Sequence, residues 1–117
     1  MTQEQLRNLN TIVEKYGADP QIDMAIEESS ELIKALLKYR RKKNGPEIFD
    51  EKELRTAIVD EIADVSIMVA QLQIVFGCMT ETKDRIAYKI DRQMNRIKEQ
   101  EARRNACEVA GRDNSSE

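Results

Sequence analysis

Apolar residues recur at helical spacing in four stretches of the chain, and residues that start or stop helices bound each stretch. The first helix is predicted over residues 2–16, because Thr2 and Gln5 have the spacing of a capping box and a glycine follows. The second is predicted over residues 19–43. Its first residue is an aspartate that can cap free amides, and Pro20 suits the first helical position.

Two further helices are predicted in the second half of the chain. The third covers residues 51–76, between a capping aspartate at position 50 and Gly77. Its apolar positions predict the face that it buries: Leu54, Ile58, Ile62, Val65, Val69, Leu72 and Phe76. The fourth covers about residues 80–104 and carries a narrow apolar stripe of Ile86, Ile90, Met94 and Ile97. We therefore predict a helical domain over residues 1–106 and a disordered tail over residues 107–117.

The composition supports an all-α fold. Of the 117 residues, 40% are hydrophobic, 35% are charged and only 4% are aromatic, which favours helices over strands. A domain of this size buries a modest core, because small domains bury a smaller fraction of their surface. We expect an antiparallel bundle of about four helices that is completed by oligomerisation.

Charge and the distribution of apolar residues limit the possible partners and location. The net charge of -3 argues against a nucleic-acid binder, which would carry a basic surface. The basic cluster at residues 40–43 ends a predicted helix, where cations complement the helix dipole. The chain shows neither a signal-peptide pattern nor an apolar stretch long enough to span a membrane. Cys78 and Cys107 form no CxxC pair, so we expect a cytoplasmic protein without a zinc site or a disulfide framework.

The chain contains no histidine, which excludes several kinds of catalytic site. A Ser-His-Asp triad, a Cys-His pair and a histidine-ligated zinc all require the imidazole ring. Acid and base chemistry is therefore left to carboxylates, lysines or tyrosines.

Four acidic residues are paired on the second and third predicted helices. Glu28 and Glu31 are three residues apart, and so are Glu61 and Asp64, so each pair lies on one helix face. In an antiparallel hairpin, Glu31 lies at nearly the same height along the helix axes as Glu61, and Glu28 at nearly the same height as Asp64. The expected offset is two residues, which is about 3 Å of helical rise. Four clustered carboxylates without a softer ligand suit Mg²⁺ or Mn²⁺. The alternative is that the acids form solvated ion pairs, for example between Glu31 and Lys34.

The segments Glu27-Glu28-x-x-Glu31 and Glu61-x-x-Asp64 resemble the paired signature of the MazG-like all-α NTP pyrophosphatases. The similarity extends over about residues 21–96 and includes the apolar continuation at residues 65–76. The resemblance implies that a nucleoside triphosphate is cleaved to a monophosphate and pyrophosphate, and that the protein is a homodimer or homotetramer.

The resemblance also implies roles for single residues. Glu28, Glu31, Glu61 and Asp64 are expected to hold Mg²⁺, for which Mn²⁺ can substitute, and Glu28 or Glu27 is expected to deprotonate the attacking water. The candidates for binding the phosphates are five cations: Lys89, Arg92, Arg96, Lys34 and Lys38.

Two other functions are compatible with parts of the pattern. A non-catalytic helical interaction or regulatory protein would keep the fold without turnover. A di-iron bundle also places glutamates inside helices, but it ordinarily needs Glu-x-x-His pairs, which a chain without histidine does not have.

Overall fold

The computed structural model describes the backbone of residues 1–115 and the side chains of residues 1–112. Within that range the chain forms four helices and no strand, so the predicted all-α fold is confirmed. The helices are α1 (Gln3–Tyr16), α2 (Ala18–Lys43), α3 (Glu51–Phe76) and α4 (Met79–Ser115).

Side chains cap the first and third helices as their sequences predict. The Thr2 hydroxyl accepts a hydrogen bond from the Gln5 amide at 3.1 Å, and the Gln5 side chain accepts one from the Thr2 amide at 2.8 Å. The Asp50 carboxylate accepts a hydrogen bond from the Glu53 amide at 3.2 Å, where α3 begins. A cap of this kind typically stabilises a helix by about 1 kcal/mol.

The second helix begins two residues before the predicted first helical position at Pro20. Its N-cap is Gly17, which has a φ of 89° and makes no side-chain capping bond. This positive φ lets the chain turn sharply, so α2 resumes directly after α1. Asp19 and Pro20 consequently lie inside the first turn. The negative charge of Asp19 complements the helix dipole there. Proline costs no hydrogen bond at this position, because the amides of the first turn have no acceptor within the helix.

Helices α2 and α3 pack against each other as an antiparallel hairpin. The seven residues 44–50 connect them, and Lys42 pairs with Glu47 across this connection at 3.3 Å. The rings of Tyr39 and Phe49 meet edge to face with their centroids 6.3 Å apart. Because the connection is short, it holds the two helices in a defined register.

Helices α1, α2 and α3 form one compact unit, Met1–Cys78, with a small core. Its buried apolar side chains are Leu9, Ala25, Leu54 and Met68. The inner face of α3 follows Leu54, Glu61 and Met68, which are seven residues apart. Three members of the predicted buried stripe instead lie outward, with exposed fractions of 49%, 46% and 65%: Ile62, Val69 and Phe76. The buried face of α3 is therefore rotated about the helix axis, by part of a turn, from the face that the sequence predicted.

The fourth helix belongs to a second unit and is described by itself. It continues past the predicted end near residue 104 and includes residues 107–115, for which the sequence predicted a disordered tail. Within this extension, Arg104 and Glu108 form an i,i+4 ion pair at 3.5 Å. The extension also contains Gly111, but a single glycine inside a helix costs only about 1 kcal/mol relative to alanine. Residues 116–117 lie outside the described residues. The stripe from Ile86 to Ile97 is about half exposed.

None of the helices within residues 1–115 combines the length and the apolar composition that a membrane span requires.

We expect the replacement Gly77→Ala to destabilise the hairpin unit. Gly77 ends α3 with a φ of 60°, a left-handed conformation that alanine adopts at a cost. The space around it is open, so the cost of the replacement comes from the backbone alone. The free energy of unfolding in urea should fall by about 1 kcal/mol. Gly77→Asn should lose less, because asparagine tolerates this conformation, and an equal loss in both variants would contradict the explanation.

Candidate metal centre

Three acidic side chains converge where α2 and α3 pack together. Glu28 lies on α2, and Glu61 and Asp64 lie one turn apart on α3. One carboxylate oxygen from each residue lies within 4.8 Å of the other two, and all three side chains are half-buried. The structure thus brings together three of the four acids that the sequence singled out.

The acids converge because they occupy positions on the packing faces of their helices. On α2, Glu28 lies seven residues after the buried Gln21 and seven before the half-buried Ala35. On α3, Glu61 lies midway between the buried Leu54 and Met68. A spacing of seven residues brings side chains back to nearly the same face of a helix. These acids therefore occupy positions where packed helices ordinarily place apolar residues.

One oxygen of this group is buried without a partner. Within the described part of the chain, Glu61 Oε2 is shielded from solvent and accepts no hydrogen bond. A buried acceptor without a partner is unfavourable, and a carboxylate oxygen more so than a neutral one. A bound cation would satisfy this oxygen directly.

The electrostatics of the group favour proton or cation uptake. Burial raises the pKa of the Glu28 carboxyl, and the negative charges of Asp64 and Glu61 raise it further. Burial likewise raises the pKa of the Glu61 carboxyl, with Asp64 and then Glu31 adding to the effect. Like charges held close together resist ionisation unless a positive charge compensates them.

Glu31, the fourth predicted ligand, lies beside this group but is not one of the three. Its carboxylate accepts a hydrogen bond from the Lys34 ammonium at 3.4 Å, which is the ion pair that the sequence offered as the alternative. Its charge nevertheless raises the pKa of both Glu28 and Glu61. Glu31 is therefore within electrostatic reach of the group.

The other candidate residues have less direct positions. Glu27, the second candidate for the base, is exposed, and its charge contributes to the raised pKa of Glu28. Lys38 is exposed on α2, one turn beyond Lys34 and beside the connection to α3. The three remaining cations belong to the second unit, where α4 carries them at exposed positions: Lys89, Arg92 and Arg96.

Two buried glutamines lie on the same helix faces as the acids. Gln21 is 6% exposed and Gln71 only 3%, and Gln71 Oε1 accepts no hydrogen bond within the described residues. Gln21 lies seven residues before Glu28, and Gln71 seven after Asp64. The spacing of seven residues could have predicted their burial from the sequence, because it places each glutamine two turns along the helix face that carries the acids. The interior of the hairpin is thus polar over a longer stretch than the acids alone occupy.

The group of three carboxylates fits a small divalent cation. Magnesium binds oxygens at 2.0–2.1 Å, so two ligands on opposite sides of the ion are about 4.2 Å apart. The three oxygens lie within 4.8 Å of one another, so they would have to move closer together to bind one ion. Three oxygen donors without imidazole or thiolate suit Mg²⁺ or Mn²⁺ better than softer metals.

No protein-family model, no curated protein and no solved structure matches the chain.

We expect the metal-free protein to lose stability as the pH rises through the raised pKa values of Glu28 and Glu61. The folded state binds these protons more tightly than the unfolded state, so the stabilisation is complete below the ordinary glutamate pKa and is lost as the pH rises through the raised pKa values. Glu61→Gln removes one of the interacting charges. Its melting temperature relative to the wild type should therefore increase with pH.

Glu14→Gln, which changes an exposed acid on α1, serves as the control. Parallel pH profiles for wild type and Glu61→Gln would contradict the burial of charge at this site.

Proposed function

We propose that this protein is a Mg²⁺-dependent nucleoside triphosphate pyrophosphohydrolase of the MazG-like type. The observation that carries the proposal is the convergence of Glu28, Glu61 and Asp64 from two helices, with a buried Glu61 oxygen that accepts no hydrogen bond within the described residues. An arrangement that only stabilised the fold would gain more from apolar residues at these positions. The order and spacing of the acids in the sequence resemble the family signature, and this resemblance is the support for the proposed reaction.

In the proposed mechanism, Glu61 and Asp64 on α3 would hold the cation together with Glu28 and Glu31 on α2. The bound ion would polarise phosphate oxygens and offset the negative charge that develops during hydrolysis. Mn²⁺ would serve as a substitute, because it accepts the same oxygen ligands.

Glu28 is the proposed general base. Burial raises the pKa of the Glu28 carboxyl, which makes its carboxylate a stronger base than that of an exposed glutamate. Glu28 would take a proton from water as the water oxygen bonds to phosphorus and the α–β phosphoanhydride breaks. The products are a nucleoside monophosphate and pyrophosphate. Glu27, next to Glu28 on the exposed side, is the second candidate for this role.

Cationic side chains are proposed to neutralise the triphosphate. Lys34 and Lys38 lie on the same helix as Glu28 and Glu31. The proposed contributors from α4 are Lys89, Arg92 and Arg96, which recur at i, i+3 and i+7 and so share one face. We place the enzyme in the cytoplasm, where it would act on the nucleotide pool.

We also propose that the working form is a homodimer or homotetramer. Large apolar side chains remain exposed on the outer surfaces of α2 and α3, including Ile33, Leu37 and Phe76 at 57%, 62% and 65%. Ile33 and Phe76 line one surface cavity, and exposed apolar patches mark association sites. The same surface supports the second candidate function, a helical interaction or regulatory protein without turnover.

A pyrophosphate-release assay separates the two functions. With Mg²⁺ and a panel of NTPs and dNTPs, the wild type should release pyrophosphate and no orthophosphate. Glu61→Gln should reduce kcat by at least about a hundredfold, since even residues that only orient metal ligands contribute 10- to 100-fold. Glu14→Gln should retain full activity because its carboxylate is exposed on α1. Turnover by Glu61→Gln at the wild-type rate would refute the assignment, and an inactive wild type would favour the interaction protein.

A further inference from the structure

The ion pair between Glu31 and Lys34 lies at the edge of the proposed metal centre. The Lys34 Nζ atom and the Glu31 Oε1 atom are 3.4 Å apart, on consecutive turns of α2. The side chain of Lys34 is 71% exposed and that of Glu31 is 45% exposed. Exposed pairs of this kind contribute little to stability, so the pair can open and close readily.

Glu31 is close enough to the three acids to influence them. It lies one turn from Glu28 on the same face of α2, and its negative charge acts on both Glu28 and Glu61. Its oxygens are nevertheless outside the group of three that lies within 4.8 Å. In this structure, therefore, the fourth carboxylate is held by an ammonium group and not by the cluster.

A divalent cation at the cluster would compete with Lys34 for Glu31. The ion carries twice the charge of the ammonium group and binds a carboxylate oxygen at about 2.1 Å, compared with the 3.4 Å of the ion pair. Attraction between charges rises with the product of the charges and falls with distance. Rotation of the Glu31 side chain toward the cluster would then replace its ion pair with Lys34 by a bond to the cation.

We propose that Lys34 is a positioning residue that holds Glu31 away from the metal centre until a divalent cation binds. The inference rests on the proposed function. Binding of the cation would draw Glu31 to the cluster and leave the Lys34 ammonium free beside it, available to a phosphate group. Lys34 would thus oppose binding of the ion alone and favour binding of the triphosphate that follows, so the ion would bind first.

The test measures the binding of Mn²⁺ alone, from the electron paramagnetic resonance signal of the free ion. Lys34→Ala should bind Mn²⁺ about two- to fivefold more tightly than the wild type, the range that an exposed ion pair accounts for. In a Glu31→Gln background, Lys34→Ala should have no effect, because the partner that it held is gone. Lys34→Arg, which keeps the pair, should resemble the wild type.

Lys38→Ala is the matched control for the loss of a positive charge, since Lys38 is an exposed lysine one turn along the same helix. An equal increase in affinity in Lys38→Ala, or in both Glu31 backgrounds, would show a general effect of charge and overturn the proposal. Failure of the wild type to bind Mn²⁺ would overturn both this proposal and the proposed function. The predicted coupling without any release of pyrophosphate would support the role of Lys34 while refuting the enzymatic activity.

Discussion

The mutual repulsion of carboxylates held inside a helical hairpin is the constraint on which the rest of this structure depends. Glu28, Glu61 and Asp64 occupy inward-facing positions of α2 and α3, so the hairpin cannot pack without bringing their oxygens together. Burial and the neighbouring charges both disfavour the ionised forms of Glu28 and Glu61. The arrangement stores an electrostatic cost that protons, a lysine or a divalent cation can relieve.

The local features of the chain hold the hairpin in the register that creates this cost. The Asp50 cap starts α3, Gly77 ends it in a left-handed conformation, and the connection over residues 44–50 allows little slippage between the helices. A displacement by one residue would rotate each acid by about 100° around its helix axis and remove it from the packing face. The terminal residues of the helices therefore position the acids as directly as the core does.

The surroundings of the acids suggest how their charge is balanced at each stage of the proposed reaction. Lys34 pairs with Glu31 at the solvent side, while the buried Oε2 atom of Glu61 accepts no hydrogen bond from the described part of the chain. A cation bound at the cluster would relieve the repulsion that the hairpin imposes, and its binding energy would offset the cost of burying the acids.

The sequence by itself determined the helices and the faces of the acids within each helix. Capping boxes, helix-ending glycines and i,i+3 pairs act between residues a few positions apart, so they can be identified before the chain is folded. The structure differs from these local signals at the start of α2, which begins at Ala18, and along residues 107–115, which continue α4. The tertiary structure decided which face of α3 is buried, since the line through Glu61 and Met68 displaced the more apolar line through Ile62 and Val69. It also decided that Gln71 is buried, where its Oε1 atom accepts no hydrogen bond from the described residues. These outcomes depend on how side chains of two helices fit together, and periodicity within one helix contains no information about its partner.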